Sequence, residues 1–425
     1  MFRLAASGRS HSRDVWLLCA ISALGSGAYL GIHQLLNALY VLRLGFGPQS
    51  VGTLSAIGAL SFSCASLLGG ILGARIGTRS MMLLGVAINL VGMALLPLTQ
   101  WAPIHWWFAW LVLAQIVSST GWSMQVVGVI ATMAAATEPA TRRGAYALRE
   151  AGAGLGMFTG ALLGGILPQW IAGYLGVSTE SPVPFQYALW GSVLLGAMTL
   201  LPLRLIRPAP ALSRAATGHV PFRMTRSFLL LLACGFATNA AHAACKTFAA
   251  VYMDTTFQLP TSVIGAVTSA GLLIAIVAAL GSARMGRRRS SGQMMIIGAA
   301  GILASLLVMA LIRHPVGAMA GIVGVYGILG IWRPAYQALQ MDVARPEWRS
   351  LISGASAMGM SLGFGSMSLG GGYIVTAAGY TSVFGAGAAA ALVSALLAAL
   401  LTWANARSAR EPDGEQATEQ AAAVS

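Results

Sequence analysis

The sequence predicts an all-α integral membrane protein whose twelve transmembrane helices form two pseudo-symmetric six-helix bundles. Three observations predict it. Of 425 residues, 57% are hydrophobic and only 8% charged, with a mean hydropathy of +0.75. A soluble domain carries about 25% charged residues, so this chain cannot cover a water-facing surface of its size. Successive apolar runs reach the roughly 18 residues that mark a spanning helix. Finally, two short basic turns, Ala74-Arg75-Ile76-Gly77-Thr78-Arg79 and Ala283-Arg284-Met285-Gly286-Arg287-Arg288, each lie between two such runs, and Arg75 and Arg284 are 209 positions apart, about half the chain. A phrase repeated at half length marks two related bundles fused in one chain.

The spans are expected at 15–41, 49–73, 80–98, 105–134, 144–168, 185–206, 227–253, 261–283, 292–312, 316–342, 350–376 and 380–405. The first follows a polar segment, 1–14, that carries no cleavage pattern, so this span is expected to be retained. Tyr40 and Pro48 flank the turn between spans one and two, and the first basic turn separates spans two and three. Glu138-Pro139-Ala140-Thr141-Arg142-Arg143 reads as a turn before span five, whose core ends at Gly164-Gly165. Pro208, Pro210, Pro221 and four arginines mark 207–226 as the loop between the bundles 15–206 and 227–406. The second bundle repeats the signals: Tyr252 and Pro260 have the spacing of Tyr40 and Pro48, Arg345-Pro346-Glu347-Trp348-Arg349 precedes span eleven, and Gly370-Gly371 lies within it. The tail, 407–425, carries four acids among alanines and reads as disordered.

Arginine placement sets the expected orientation. With the N-terminus inside, cytoplasmic segments hold twenty arginines and external loops only Arg43 and Arg313, so both termini are expected in the cytoplasm, as for a protein of the plasma (inner) membrane. The net charge of +14 is then a topology signal and an attraction to anionic lipid. A nucleic-acid partner has no stacking aromatics on a soluble module to support it. Cys19, Cys64, Cys234 and Cys245 lie inside spans at no metal-ligand spacing. With no phosphate-cradling glycine loop and no nucleophile–base set in a loop, neither enzyme activity nor a cofactor is expected.

On these turns the chain resembles the major facilitator superfamily, across residues 15–406. Members carry G-x-x-x-D-R-x-G-R-R between spans two and three, partly repeated between spans eight and nine. Here the segment reads Gly70-Ile71-Leu72-Gly73-Ala74-Arg75-Ile76-Gly77-Thr78-Arg79, with Ala74 in place of the family's acid, and Ala283 stands at the second copy. The family's span-five exporter pattern, G-P-x-x-G-G, appears as Gly160-Ala161-Leu162-Leu163-Gly164-Gly165, and Val117 replaces its span-four arginine. The resemblance implies alternating access, a central cavity lined by spans one, four, seven and ten, and an inner latch altered by the missing acid. Arg75, Gly77, Arg79, Arg284, Gly286 and Arg288 are the gate candidates; topology alone also accounts for arginine there.

Polar residues on those four spans recur at helical spacing. Span one offers Ser22, Ser26, Tyr29, His33, Asn37 and Tyr40 in one stripe, with Gln34 beside it; span four offers Ser118, Trp122 and Gln125. Span seven offers Asn239, His242 and Lys246; span ten offers Trp332, Arg333, Tyr336, Gln337 and Gln340. Hydrogen bonding between helices accounts for such residues equally well in part. Charges weigh more, since an ionisable group at mid-bilayer costs about 2.5–3.5 kcal/mol to insert. Lys246 is the single lysine of the chain, and Asp254 and Glu150 are the acids within reach of neutralising it or Arg333. If those acids pair elsewhere, the second bundle presents a positive site suited to an anionic substrate. Glu150, His33 and His242 are the groups able to carry a coupling proton.

The leading functional reading is a secondary active transporter of a small organic molecule, proton-coupled and exporting an amphipathic or anionic compound, acting as a monomer. An uptake symporter or facilitator for an organic anion is the second, and a non-transporting receptor or scaffold the third.

Overall fold

The computed structural model describes residues 13–137, 139–206, 225–285, 289–343 and 349–408. Residues 207–224 of the expected loop 207–226 lie outside the described residues, as do 1–12 of the polar start, Glu138, 345–348 of the turn before span eleven, and the tail from 409 onward. Among the described residues, twelve helices follow one another: α1 (Arg13–Arg43), α2 (Pro48–Ile76), α3 (Thr78–Leu95), α4 (Trp107–Ala135), α5 (Pro139–Leu175), α6 (Val183–Leu205), α7 (Arg226–Phe257), α8 (Thr261–Met285), α9 (Ser291–Leu311), α10 (Pro315–Val343), α11 (Arg349–Ala378) and α12 (Tyr380–Ser408). Eleven are long and apolar enough to cross a membrane; the twelfth, α11, is rich in glycine, serine and methionine. Helices are the open-chain answer to a solvent without water, because each satisfies its own backbone groups.

The breaks between helices follow local chemistry. Gly77 takes φ 85, which turns α2 into α3 with no intervening loop. Gln258 sits in the left-handed region at the end of α7, and Ser290 with Gln293 forms a capping box at the start of α9. One expectation fails at α5. Residues 139–143, read from sequence as a turn, are its first helical turn, and the helix passes through Pro168 to Leu175. Proline at a helix start gives up no bond that the helix would have made, and neighbouring helices support an internal proline in a membrane bundle. Helix α1 departs from regularity too: Ser26–His33 is wound as a π-helix.

Helices α1–α6 pack into one bundle and α7–α12 into another. Glycines decide how closely. A Cβ placed on Gly156 would lie 2.0 Å from the carbonyl oxygen of Ala23, and one on Gly160 would lie 2.2 Å from that of Gly27. The second bundle repeats this contact, where a Cβ on Gly363 would lie 2.1 Å from the Phe236 oxygen. So α5 lies on α1, and α11 on α7, backbone against backbone, as small residues permit in membranes. The glycines of the resembled exporter pattern thus have packing partners in hand.

Contact between the bundles runs through α2 with α11, α5 with α8, and α7 with α1 and α2. These contacts also close on glycine. A Cβ on Gly165 would meet the Gly265 Cα at 2.8 Å, and one on Gly372 the Gln49 Cα at 2.9 Å. Both lie toward the face carrying the α1–α2 and α7–α8 turns, called here the distal face, while the α5–α8 contact runs deeper, where a Cβ on Gly154 would lie 3.0 Å from Ile276. The opposite, terminal face carries residues 13 and 408.

Overpacking a backbone contact should destabilise by about 1–3 kcal/mol. Gly160→Leu is expected to lower the thermal midpoint of the detergent-solubilised protein accordingly, while Gly173→Leu, where an added Cβ meets nothing within 4 Å, leaves it nearly unchanged.

Candidate functional site

In the first bundle, α1 and α4 share a buried polar network. Asn37 donates from Nδ2 to Gln115 Oε1 at 3.0 Å, Gln115 donates to Ser119 Oγ at 3.2 Å, and Ser119 Oγ lies 3.1 Å from the Tyr29 hydroxyl. The Tyr29 ring lies 5.5 Å from His33 and 5.2 Å from Trp122. His33 is 2% exposed and its Nδ1 has no hydrogen-bond partner, so it is a polar atom held in the interior without being satisfied there. Gln125 is buried against Gly25, whereas Gln34 and Asn37 are half-buried.

The second bundle gathers charge. His242 and Lys246 lie one turn apart on α7, and Arg333 reaches them from α10: the charges of Lys246 and Arg333 act on the His242 imidazole, and that of Arg333 on Lys246. Neither His242 nitrogen has a hydrogen-bond partner; its ring meets Tyr326 and Phe364 edge-on, each at 5.9 Å. Lys246 Nζ stands 5.7 Å from the centre of the same Phe364 ring, a cation–π contact. Among the described residues, no carboxylate comes within 4.0 Å of Lys246 or Arg333.

Helix α10 divides its polar residues between two faces. Arg333 and Gln337, a turn apart, are exposed, while Trp332 and Tyr336 are buried and stacked at 4.7 Å. Tyr336 donates to the Leu231 carbonyl, and Asn239 donates to Gly235 of its own helix. The structure therefore brings His242, Lys246 and Arg333 together and sets Tyr336 in the packed core behind them. Glu150 on α5 is exposed, is paired with Arg149, and is the acid whose field reaches Arg333 from the other bundle. Helices α5 and α10 belong to different bundles, and no ion pair joins these two side chains among the described residues. Surface grooves at Leu229–Phe236–Val393 and at Trp170–Tyr174–Tyr187 are apolar, open on the helix flanks, and include none of these groups.

The gate candidates lie elsewhere. Arg79 donates to the carbonyl of Arg204 within its own bundle, Arg75 is exposed, and Gly77 supplies the positive φ of the α2–α3 turn. Gly286 and Arg288 lie outside the described residues, as does the side chain of Arg284. Among the described residues, the charged contact between the bundles is on the distal face. Arg43 at the end of α1 grips Asp254 at the end of α7 with two bonds, of 2.8 and 2.7 Å. Asp254, one of two acids expected to neutralise Lys246 or Arg333, is thus taken by Arg43.

Sequence reading missed Gln115, Tyr326, Phe364 and the Arg43–Asp254 pair. Gln115 stands two helical turns before Trp122 and continues the α4 stripe, so its spacing was a usable signal. The pair had one as well: its separation of 211 is within one of the 212 that relates Tyr40 to Tyr252 and Pro48 to Pro260. Nothing in the spacing points to Tyr326 or Phe364.

The model of the Major Facilitator Superfamily matches residues 15–365 and again 232–424. No curated protein matches the chain. Among solved structures, a point mutant of the nucleoside transporter NupG is 14% identical, with a TM-score of 0.72 over 91% of this chain and 99% of its own. A POT family transporter in complex with thioalcohol conjugated peptide is 14% identical, with a TM-score of 0.70 over 92% and 96%. A POT family transporter in complex with 5-aminolevulinic acid is 13% identical, with a TM-score of 0.71 over 92% and 96%. At such identities these likenesses speak for the fold, while the family match covers the chain. The protein belongs to the Major Facilitator Superfamily and is a multi-pass membrane transporter.

Proposed function

We propose that the chain is a proton-coupled secondary transporter of a small amphipathic or anionic organic compound, working by alternating access as a monomer in the plasma (inner) membrane and exporting its cargo. The observation that carries the reading is the cluster of His242, Lys246 and Arg333, which holds its positive charge with no carboxylate within ion-pair distance among the described residues. Cations held within a bilayer without partners are costly. A substrate carboxylate, phosphate or similar group supplies the missing charge. On the first bundle, His33, Gln34, Asn37, Trp122 and Gln125 are the proposed polar and aromatic contacts, joined on the second by Asn239 and Gln337, while Tyr336 supports that wall from the packed core behind it.

Export draws support from Gly160-Ala161-Leu162-Leu163-Gly164-Gly165 in α5, which resembles the family's exporter pattern. The arginine count favours a cytoplasmic terminal face. Uptake of an organic anion is the second reading, favoured by the same basic cluster, which binds an anion whichever way it travels. For coupling we assign Glu150, which is solvent-accessible and whose charge acts on Arg333, with His33 and His242 as the other proton-carrying groups. Proton binding at Glu150 would alter the field on Arg333 and so the hold on an anion. Arg75, Gly77, Arg79, Arg284, Gly286 and Arg288 are proposed to meet the opposite bundle when the terminal face closes.

Reconstitution into liposomes with a panel of organic anions, with and without an imposed pH gradient, tests this. Lys246→Gln and Arg333→Gln should each cut anion flux by about tenfold or more; unchanged flux removes the anionic cargo. Glu150→Gln should keep facilitated exchange and lose the response to the pH gradient, and a normal response removes Glu150 as the proton carrier.

A further inference from the structure

Charges are rare in apolar spans, yet the second bundle places two of one sign, Lys246 and Arg333, on helices that are in contact. His242 stands one turn before Lys246 on α7. Tyr326 of α10 meets the His242 ring at 5.9 Å, and Arg333 follows Tyr326 by seven positions, two turns along the same face of α10. Phe364 of α11 closes the third side. Its ring centre lies 5.9 Å from that of His242 and 5.7 Å from Lys246 Nζ. A ring face attracts an ammonium without cancelling its charge. The charge of Arg333 acts on both Lys246 and the His242 imidazole.

Nothing on hand balances these two cations. Among the described residues, no carboxylate stands within 4.0 Å of either. Asp254 is bound to Arg43 and Glu150 to Arg149, so neither is free to answer them. His242 is 5% exposed, and both of its ring nitrogens lack a hydrogen-bond partner. A buried polar atom left without a bond is uncommon, and this one stands beside the two charges.

We infer that the cargo carries two negative charges, seated between Lys246 and Arg333 with the His242 ring as a third contact. The inference rests on the proposed anionic cargo and narrows it. A singly charged anion cancels one cation and leaves the other uncompensated at membrane depth, which is costly. A dianion leaves the occupied site neutral. The donors point the same way: a lysine brings three N–H groups, an arginine five and a histidine at least one, whereas a single carboxylate offers about four lone-pair sites. A phosphate monoester, with a charge of about −1.5 to −2 at neutral pH, or a pair of carboxylates takes up more of both the charge and the donors.

Four aromatic probes test this by isothermal titration calorimetry on the full chain in detergent at about pH 7.5, where the phosphate is doubly ionised. Phenyl phosphate and phenyl sulfate share a shape and differ by one charge; benzene-1,3-dicarboxylate and benzoate differ by one carboxylate. At least one dianion should bind about tenfold or more tighter than its singly charged counterpart, and the pair with the larger ratio identifies the source of the double charge. Lys246→Gln and Arg333→Gln should each bring that ratio down to about twofold or less, because each leaves a site with one charge. Arg313→Gln, which removes an exposed charge from the α9–α10 connection, should leave the ratio unchanged. If both dianions bind no tighter than their counterparts, the inference falls and an anionic cargo still stands. If the ratio survives both cluster substitutions, or drops as far with Arg313→Gln, the overall charge of the protein is the cause and the inference falls. Absence of binding by all four overturns the anionic reading itself, and this inference with it.

Discussion

Close approach of helix backbones at glycine is the contact on which this architecture depends. In a soluble bundle, water would drive apolar helix faces together; between helices in lipid that drive is absent, and association relies on dispersion and shape. Flat, side-chain-free stripes supply the shape. Gly156 and Gly160 seat α5 on Ala23 and Gly27 of α1, and Gly363 seats α11 on Phe236 of α7. The same device, used between the bundles at Gly165–Gly265 and Gly372–Gln49, lets two rigid bodies touch along narrow seams. Rigid halves on narrow seams are what a rocking carrier requires.

Against this apolar frame the charges are few and unevenly shared. The first bundle spends its interior polarity on a neutral network, Asn37–Gln115–Ser119–Tyr29. The second concentrates cations: Lys246 and Arg333 beside His242, with Asp254 drawn off to Arg43 and Glu150 to Arg149. The asymmetry gives the gap a polar direction, with hydrogen-bonding and aromatic groups on one wall and positive charge on the other.

Much of this was legible in the chain. Hydropathy and length place the helices, since each span must satisfy its backbone alone and cannot borrow order from distant strands. Repeated turns place the two bundles. The basic cluster was legible because Lys246 and Arg333 are rare charges in apolar runs. What escaped depends on helix phase and on contacts between distant segments. The π-helical winding at Ser26–His33 turns the polar residues of α1 out of a simple stripe, so that Ser22, Tyr29, His33 and Tyr40 are buried while Gln34 and Asn37 are partly open. Tyr336 follows regular spacing yet falls on the packed face of α10, because neighbours one position apart point to different sides of a helix. Pairing was the hardest to read: Asp254 has several cations within a plausible reach along the sequence, and only the joined bundles show that Arg43 claims it.

The register of the repeat shows what the Arg43–Asp254 bond is not. At the offset of 212 that relates Tyr40 to Tyr252, Arg43 corresponds to Thr255 and Asp254 to Leu42. Neither charge has a charged counterpart in the other copy, so the bond belongs to the differences between the halves. Close backbone contact at glycine recurs in both, at Gly156 and Gly363. What the copies share holds each of them together; where they differ, one copy takes hold of the other.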